Sequence, residues 1–345
     1  MNTTGKPLIG QTLDELKQLV AAYGLPTFTA KQIADWIYRK RVLHIADMTN
    51  LSARARELLS QQWCVGVAEP VERRQSKDGT VKYLFEAGEG GGHYIESVYI
   101  PDGDRATLCI SSQIGCQMGC TFCATGRQGY KGNLTTAEIL NQVQSIEQSD
   151  SLTNIVFMGM GEPLNNADAV LKAIAIMTAD YGYGWSPKRI TLSTVGITPQ
   201  LARALDESQC QIAVSIHAPN AALRAQLVPA EKAYPMHDTL ELLRRHDFSH
   251  QRRLSFEYTL FDGVNDRKED ALELAHNLQG LDCHINLIPF HAIPDAGLRP
   301  SPRAAMEAFQ EVLNQKRFPT TIRRSRGQDI EAACGLLSKI KQTQL

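Results

Sequence analysis

Residues 109–130 read CISSQIGCQMGCTFCATGRQGY, and the CxxxCxxC spacing of Cys116, Cys120 and Cys123 inside that stretch decides how the rest of the chain is understood. One compact loop can point three thiolates so spaced at a single centre. Soft thiolate ligands select iron–sulfur clusters or zinc. A structural zinc site wants four closed ligands, and no histidine lies between Cys109 and Asn133 to complete one. No fourth cysteine falls within the loop after Cys116, Cys120 and Cys123, so a cubane bound by these three keeps one iron open for chemistry. A disulfide framework does not suit 345 residues with 8 scattered cysteines and no apolar signal segment in MNTTGKPLIGQ.

Beyond the cysteine loop the chain alternates between short apolar runs and helical periods. Strand-like runs fall at Thr107–Ser111, Asn154–Met158, Arg189–Thr194, Gln211–Ile216, Leu254–Leu260 and His284–Ile288. Helix starts stand between them, at Thr135 with Glu138, Thr198 with Pro199, Asp266 with Glu269 and Ser301 with Pro302. Such alternation predicts a parallel sheet, and six units suit a partial barrel rather than the closed eight-fold one. In barrels of this kind the working residues sit where strands end. That rule selects the cysteine loop, Gly159, Gly161 and Glu162 in MGMGEP, Ser193, Ser215 with His217, and Asn286. The glycines are expected to let a ligand approach the backbone.

Ahead of the loop, the first sixty residues predict helices, with Thr12–Glu15 and Thr29–Gln32 as capping boxes and Arg39, Lys40 and Arg41 forming a basic run. Between Val67 and Pro101 the period becomes alternating, with strands at Val81–Phe85 and Tyr94–Ile100 around the glycine-rich stretch 88–92. Glu96 shares a face with Val98 and Ile100, which puts its carboxylate either at an exposed edge or in a site. The stretch TTIRRSRGQDIEAACGLLSK reads as a last strand, a turn at Gly327 and then Cys334 among Ala332, Ala333 and Gly335; composition leaves that cysteine as packing or as a nucleophile. The expected division is a helical accessory domain at 1–65, a hairpin connection at 66–101, the barrel at 102–326 and a C-terminal segment at 327–345.

Charge of 21%, hydrophobic content of 43% and the lack of any run as long as a membrane span describe a soluble, cytoplasmic protein with no membrane partner. A net charge of -1 excludes a global basic field. Local clusters at Arg39–Arg41, Arg73–Arg74, Arg252–Arg253 and Arg323, Arg324 and Arg326 are solvated faces or phosphate contacts.

The cysteine spacing, with Phe122 before its last member, resembles the signature of radical S-adenosylmethionine (SAM) enzymes. In order along the chain, TLCISSQIGC, MGMGEP, ITLST, VSIHAP, INLIPF and RRSRGQDIEAACG resemble the RlmN family of dual-specificity RNA methyltransferases, over about Leu13 to Leu337. That resemblance implies an α/β fold: a partial (β/α)6 TIM-like barrel with a helix-hairpin-helix-like N-terminal domain, acting as an RNA handle. It implies one 4Fe-4S cluster on Cys116, Cys120 and Cys123, and SAM, two molecules per methylation, against Gly161, Glu162, Ser193, Ser215, Ile216, His217 and Asn286. The substrates implied are 23S rRNA and tRNA, methylated at adenine C2. Cys334 would carry the methyl, Cys109 would resolve the adduct by forming a disulfide, and Glu96 would be the general base. An external electron donor and a disulfide reductant are implied as partners. Two rival readings are the related Cfr type, methylating C8, and an iron–sulfur RNA-binding protein without turnover.

Overall fold

The computed structural model describes residues 5–88, 90–249, 254–293 and 296–337. Its centre is a ten-stranded sheet whose strands lie side by side in chain order. These are β1 (Glu72–Gln75), β2 (Val81–Ala87), β3 (His93–Asp102), β4 (Arg105–Cys109), β5 (Asn154–Phe157), β6 (Ile190–Thr194), β7 (Gln211–Ser215), β8 (Leu254–Leu260), β9 (Cys283–Pro289) and β10 (Thr320–Ile322). From β4 to β10 every pairing is parallel; β1 to β4 pair antiparallel. Parallel strands are covered on both faces, so their sequences are nearly continuous apolar runs. NIVF and QIAVS contain such runs, ITLST alternates apolar with hydroxyl residues, and the six expected strands lie within two residues of their expected ends. The last strand expected at the start of TTIRRSRG is present as TTI, a seventh parallel strand, and the barrel stays open because β1 and β10 do not meet.

The hairpin region is continuous with this sheet, since β3 pairs with β4 from Val98–Cys109 to Asp102–Arg105. Strand β1, ERRQ, was not expected. It is an edge strand with charged, largely exposed side chains, held by its backbone register against β2.

The capping boxes of Thr12 with Glu15 and Thr135 with Glu138 are present. Two others are corrected. Thr29 lies buried inside the helix Phe28–Ala34, because the first turn already closes from Thr29 N to Pro26 O at 2.9 Å. The helix Lys268–Asn277 is capped by Arg267 with Asp270; Asp266 instead accepts from Gly263 N–H and from Ser301 Oγ at 2.6 Å.

The N-terminal helices, Leu13–Ala22, Phe28–Ala34 with its continuation Asp35–Arg39, and Ala53–Ser60, pack Leu16, Val20, Ile33, Ile37 and Leu59 into the common core. Their basic run is engaged within the chain. Arg41 donates to Ser149 Oγ and pairs with Asp150 at 2.7 Å, Arg39 donates to the carbonyl of Asp180, and Lys40 pairs with Asp35 at 3.2 Å. Arg73 and Arg74 pair with Glu147 and Glu72, while Arg252 and Arg253 lie outside the described residues. No helix among the described residues is long and apolar enough to cross a membrane.

Candidate active site

Two adjoining cavities open at the C-terminal ends of the parallel strands, the first about 160 Å³ and the second about 410 Å³. Cys116, Cys120 and Cys123 all line the first. Their loop leaves β4 through a ribbon, Gln113–Gly115 against Tyr130–Asn133, and closes with Cys116 N–H on Gly129 O (3.2 Å) and Cys123 N–H on Cys120 O (3.1 Å). Burial pushes the Cys116 thiol up to about 12 and raises those of Cys120 and Cys123, each also feeling its neighbours' charge. Three thiolates here need a multivalent cation to balance them. A structural zinc site asks for four closed ligands, whereas three soft thiolates on one loop around a shared cavity are a donor set that an iron–sulfur cluster takes.

The MGMGEP turn forms the next wall. A Cβ on Gly159 would stand 2.6 Å from Ile110 O, and one on Gly161, whose φ is +100°, 2.5 Å from Gln113 Cβ. These glycines face the cavity, but the close approach that requires them is to the strand leading into the cysteine loop. Glu162 is buried, with Oε1 accepting from Leu164 N–H at 3.0 Å and Oε2 from Val195 N–H at 2.9 Å. Burial raises its pKa to about 7, although those hydrogen bonds oppose the shift.

Ser193, Ser215 and His217 also line the first cavity. His217 adopts a φ of +56°, and its Nδ1 accepts from Thr259 N–H at 3.0 Å, which leaves the ring proton on Nε2. Burial, helped by the Arg224 charge, lowers its pKa to about 3, so it is a neutral donor. Ile216 is fully buried, with its N–H on Glu257 O, and stands behind the wall. Asn286 likewise stands one step back: its Nδ2 donates to Glu257 Oε1 at 2.8 Å and its Oδ1 accepts from Thr321. The side chain facing the cavity from that row is Glu257, registered between Ser215 and Asn286, which sequence reasoning missed.

Cys109 and Cys334 both line the second cavity, and Cys334 lines the first as well. Neither is in a disulfide. Burial pushes the Cys109 thiol well up, with Cys334 adding to the shift. Glu96 is buried at 1% exposure, which decides between the edge and the interior. It pairs with Lys82 Nζ at 3.0 Å in a small pocket of its own, and lines neither of the two cavities. The register sets Val98 opposite Cys109, so Glu96 is the diagonal neighbour of Cys109 on one sheet face. Lys82 also donates to Glu331 O at 3.3 Å, in the segment that carries Cys334.

Comparison with known proteins agrees with this arrangement. Residues 110–275 match the model of the radical SAM superfamily, and residues 6–65 that of the ribosomal RNA large subunit methyltransferase N-terminal domain. A probable dual-specificity RNA methyltransferase RlmN from Parabacteroides distasonis is 54% identical over 97% of both chains. Its counterpart from Bacteroides thetaiotaomicron is 55% identical over 98% of this chain and 97% of its own. The chain belongs to the RlmN family. The crystal structure of a radical SAM methyltransferase from Sphaerobacter thermophilus superposes with a TM-score of 0.90 at 40% identity, covering 96% of this chain and 99% of the other. The fold of that methyltransferase is therefore shared by 96% of this chain.

Proposed function

We propose that this chain methylates C2 of adenosine in 23S rRNA and tRNA, using SAM both as methyl donor and as radical source. The observation that carries this reading is the position of Cys334, the one cysteine among the described residues that lines both cavities. C2 of adenine is an electron-poor carbon with no lone pair, so a methyl cannot pass to it by direct displacement. A thiolate can accept that methyl first.

Cys116, Cys120 and Cys123 are the residues that would hold a 4Fe-4S cluster. When bound, that cluster would supply the electron that splits SAM to a 5′-deoxyadenosyl radical able to take a hydrogen atom from the methyl carbon of an S-methylated cysteine. The remaining work falls to the chain's own groups. Glu162, Ser193, Ser215 and His217 shape the SAM cavity, with Gly161 holding the turn and Ile216 and Asn286 bracing from behind. Cys334 takes the methyl in the first cavity and presents it to adenine in the second. Once that carbon, less one hydrogen atom, is bonded to C2 and the adduct has given up one electron and the C2 proton, the Cys109 thiolate attacks the Cys334 sulfur; the sulfur–carbon bond breaks with its electron pair passing to the carbon, which takes up a proton to become the methyl, and the two cysteines are left as a disulfide. An outside reductant must reopen it, and an outside donor must supply the radical electron. Glu96 is the group beside Cys109 that can take the C2 proton; it reaches the adenine only if Lys82 and the Glu331 backbone yield.

RNA would enter over the second cavity, whose wall carries the exposed Arg105 and Arg324. We infer that residues 1–65 are an accessory domain for RNA, 66–101 the connection carrying Glu96, 102–326 the core and 327–345 the segment carrying Cys334. Anaerobic incubation of the cluster-loaded protein with SAM, reductant and RNA tests the reading by nucleoside mass spectrometry. The expected product is 2-methyladenosine with 5′-deoxyadenosine. Finding 8-methyladenosine would move the chain to the Cfr type; no SAM cleavage by an intact cluster would favour a binding protein.

A further inference from the structure

The three arginines of RRSR do not act as one patch. Arg324 is exposed, and Arg326 pairs with Asp102 at 2.7 Å. Arg323 turns inward and is the single Arg or Lys on the wall of the first cavity among the described residues, while also lining the second. Its backbone N–H is fixed on Leu287 O at 2.8 Å. Its guanidinium lies 3.5 Å from Met158 Sδ and 3.7 Å from Glu257 Oε2, and it shares the walls of both cavities with Cys334.

Glu257 explains why a cation is tolerated beside a site for cationic SAM. It is 2% exposed, Asn286 satisfies one of its oxygens, and the other has no hydrogen-bond partner, only Arg323 at ion-pair range. The pair is neutral, so a thiolate on Cys334 leaves one net negative charge facing a sulfonium. A guanidinium holds a thiolate by a charge-assisted hydrogen bond and a thioether only weakly. Accepting the methyl forms a carbon–sulfur bond on Cys334, breaks the methyl–sulfonium bond of SAM to leave S-adenosylhomocysteine, and removes the negative charge.

We propose that Arg323, braced by Glu257, is the positioning residue of the methyl carrier: it holds the anionic Cys334 sulfur toward the first cavity and lets it go once methylated. The inference rests on Cys334 being the methyl carrier. It makes methylation the event that lets the sulfur, which borders both cavities, turn from the first to the second.

Two measurements on the cluster-loaded, SAM-free protein test it under anaerobic conditions. The first is alkylation of Cys334 by iodoacetate and by iodoacetamide, each followed by peptide mass spectrometry. Both reagents consume the same thiolate, so the ratio of their rates reports the local charge and cancels the fraction ionised. Arg323→Gln should lower that ratio roughly tenfold, and Arg323→Lys should keep it within about a factor of two. An unchanged ratio in Arg323→Gln, or an equal fall in Arg323→Lys, would overturn the proposal. The second is amide hydrogen exchange over residues 327–337 before and after one SAM-dependent methylation. Exchange should rise several-fold on methylation in the wild type and start high in Arg323→Gln. Equal exchange in both states of the wild type would overturn the release. If the wild-type protein yields no methyladenosine, the functional reading fails by itself, independently of these ratios.

Discussion

The two thiols that share the second cavity are held in opposite ways. Cys109 ends β4 in register with Val98 on one side and Val156 on the other, and is 7% exposed. Cys334 is exposed on an irregular segment that no strand pairs with. That segment is pinned at separated points: Gly327 N–H on Asp78 (2.9 Å), Ser76 Oγ on Asp329 (2.5 Å), Ala124 N–H on Gly335 O (2.8 Å) and Thr125 Oγ1 on Leu337 O (2.6 Å). A sulfur embedded in a central strand cannot visit two partners, whereas one on a loop tied by a few replaceable hydrogen bonds can. The stationary thiol suits the final, single attack; the loop thiol suits transport.

The largest test of this contrast removes each sulfur. Cys334→Ala should leave no covalent RNA species, since nothing can carry the methyl across. Cys109→Ala should accept a methyl and add to adenine but stall, giving a slow-migrating protein–RNA band on denaturing gels. A band from Cys334→Ala would reverse the roles.

The next test breaks the stiff side. Gly161→Ala forces a Cβ to 2.5 Å from Gln113 Cβ at a φ of +100°. Strain and clash together should cost about 2–4 kcal/mol of stability, visible in urea unfolding, and SAM binding should fall with it. A fully stable variant would mean the turn can shift, and the wall would not be rigid.

Loosening the mobile side should do the reverse. Asp78→Asn with Asp329→Asn removes the carboxylates that accept from Gly327, Ser76 and Lys77. Protease cleavage in 327–337 should rise severalfold while global unfolding barely changes, because these groups lie at the surface. If unfolding midpoints fall as far as for Gly161→Ala, the segment belongs to the core rather than being hung on it.

How much of this was legible divides along the same line. The parallel strands announced themselves because burial on both faces favours apolar runs, and the cysteine spacing marked the loop that lines the first cavity. The edge strand Glu72–Gln75 was invisible because backbone pairing alone holds its charged residues. Glu257 did leave a signal, a lone carboxylate between Phe256 and Tyr258, of the same kind as Glu96 in YIESVYI. Arg323 could not be separated from Arg324 and Arg326 in sequence, since which arginine turns inward depends on the strand end at Ile322 and on a carboxylate 66 positions earlier. The basic run at Arg39–Arg41 met the same limit: charge patterning does not reveal that Ser149, Asp150 and Asp180 lie opposite it.

The smallest expected effect concerns pH and the pin at Asp78. Burial would raise this carboxyl, but hydrogen bonds from Gly327, Thr80 and Ser76 outweigh it and hold the pKa at about 2, below the model-peptide value of 3.8. A carboxylate whose folded pKa is depressed contributes stability that is fully present above the unfolded pKa and lost as pH falls through the folded one. The stability gap between the wild type and Asp78→Asn should therefore be constant from pH 7 to about 4 and narrow between about 4 and 2. Because Asp78 is exposed, the gap itself should be no more than a degree or two in Tm, roughly, and taking the difference between variants cancels the other titrating groups. A gap that instead widens on acidification would show that Asp78 is not the charged anchor of the Cys334 segment, and the contrast between the fixed and the tethered thiol would then rest on the remaining pins alone.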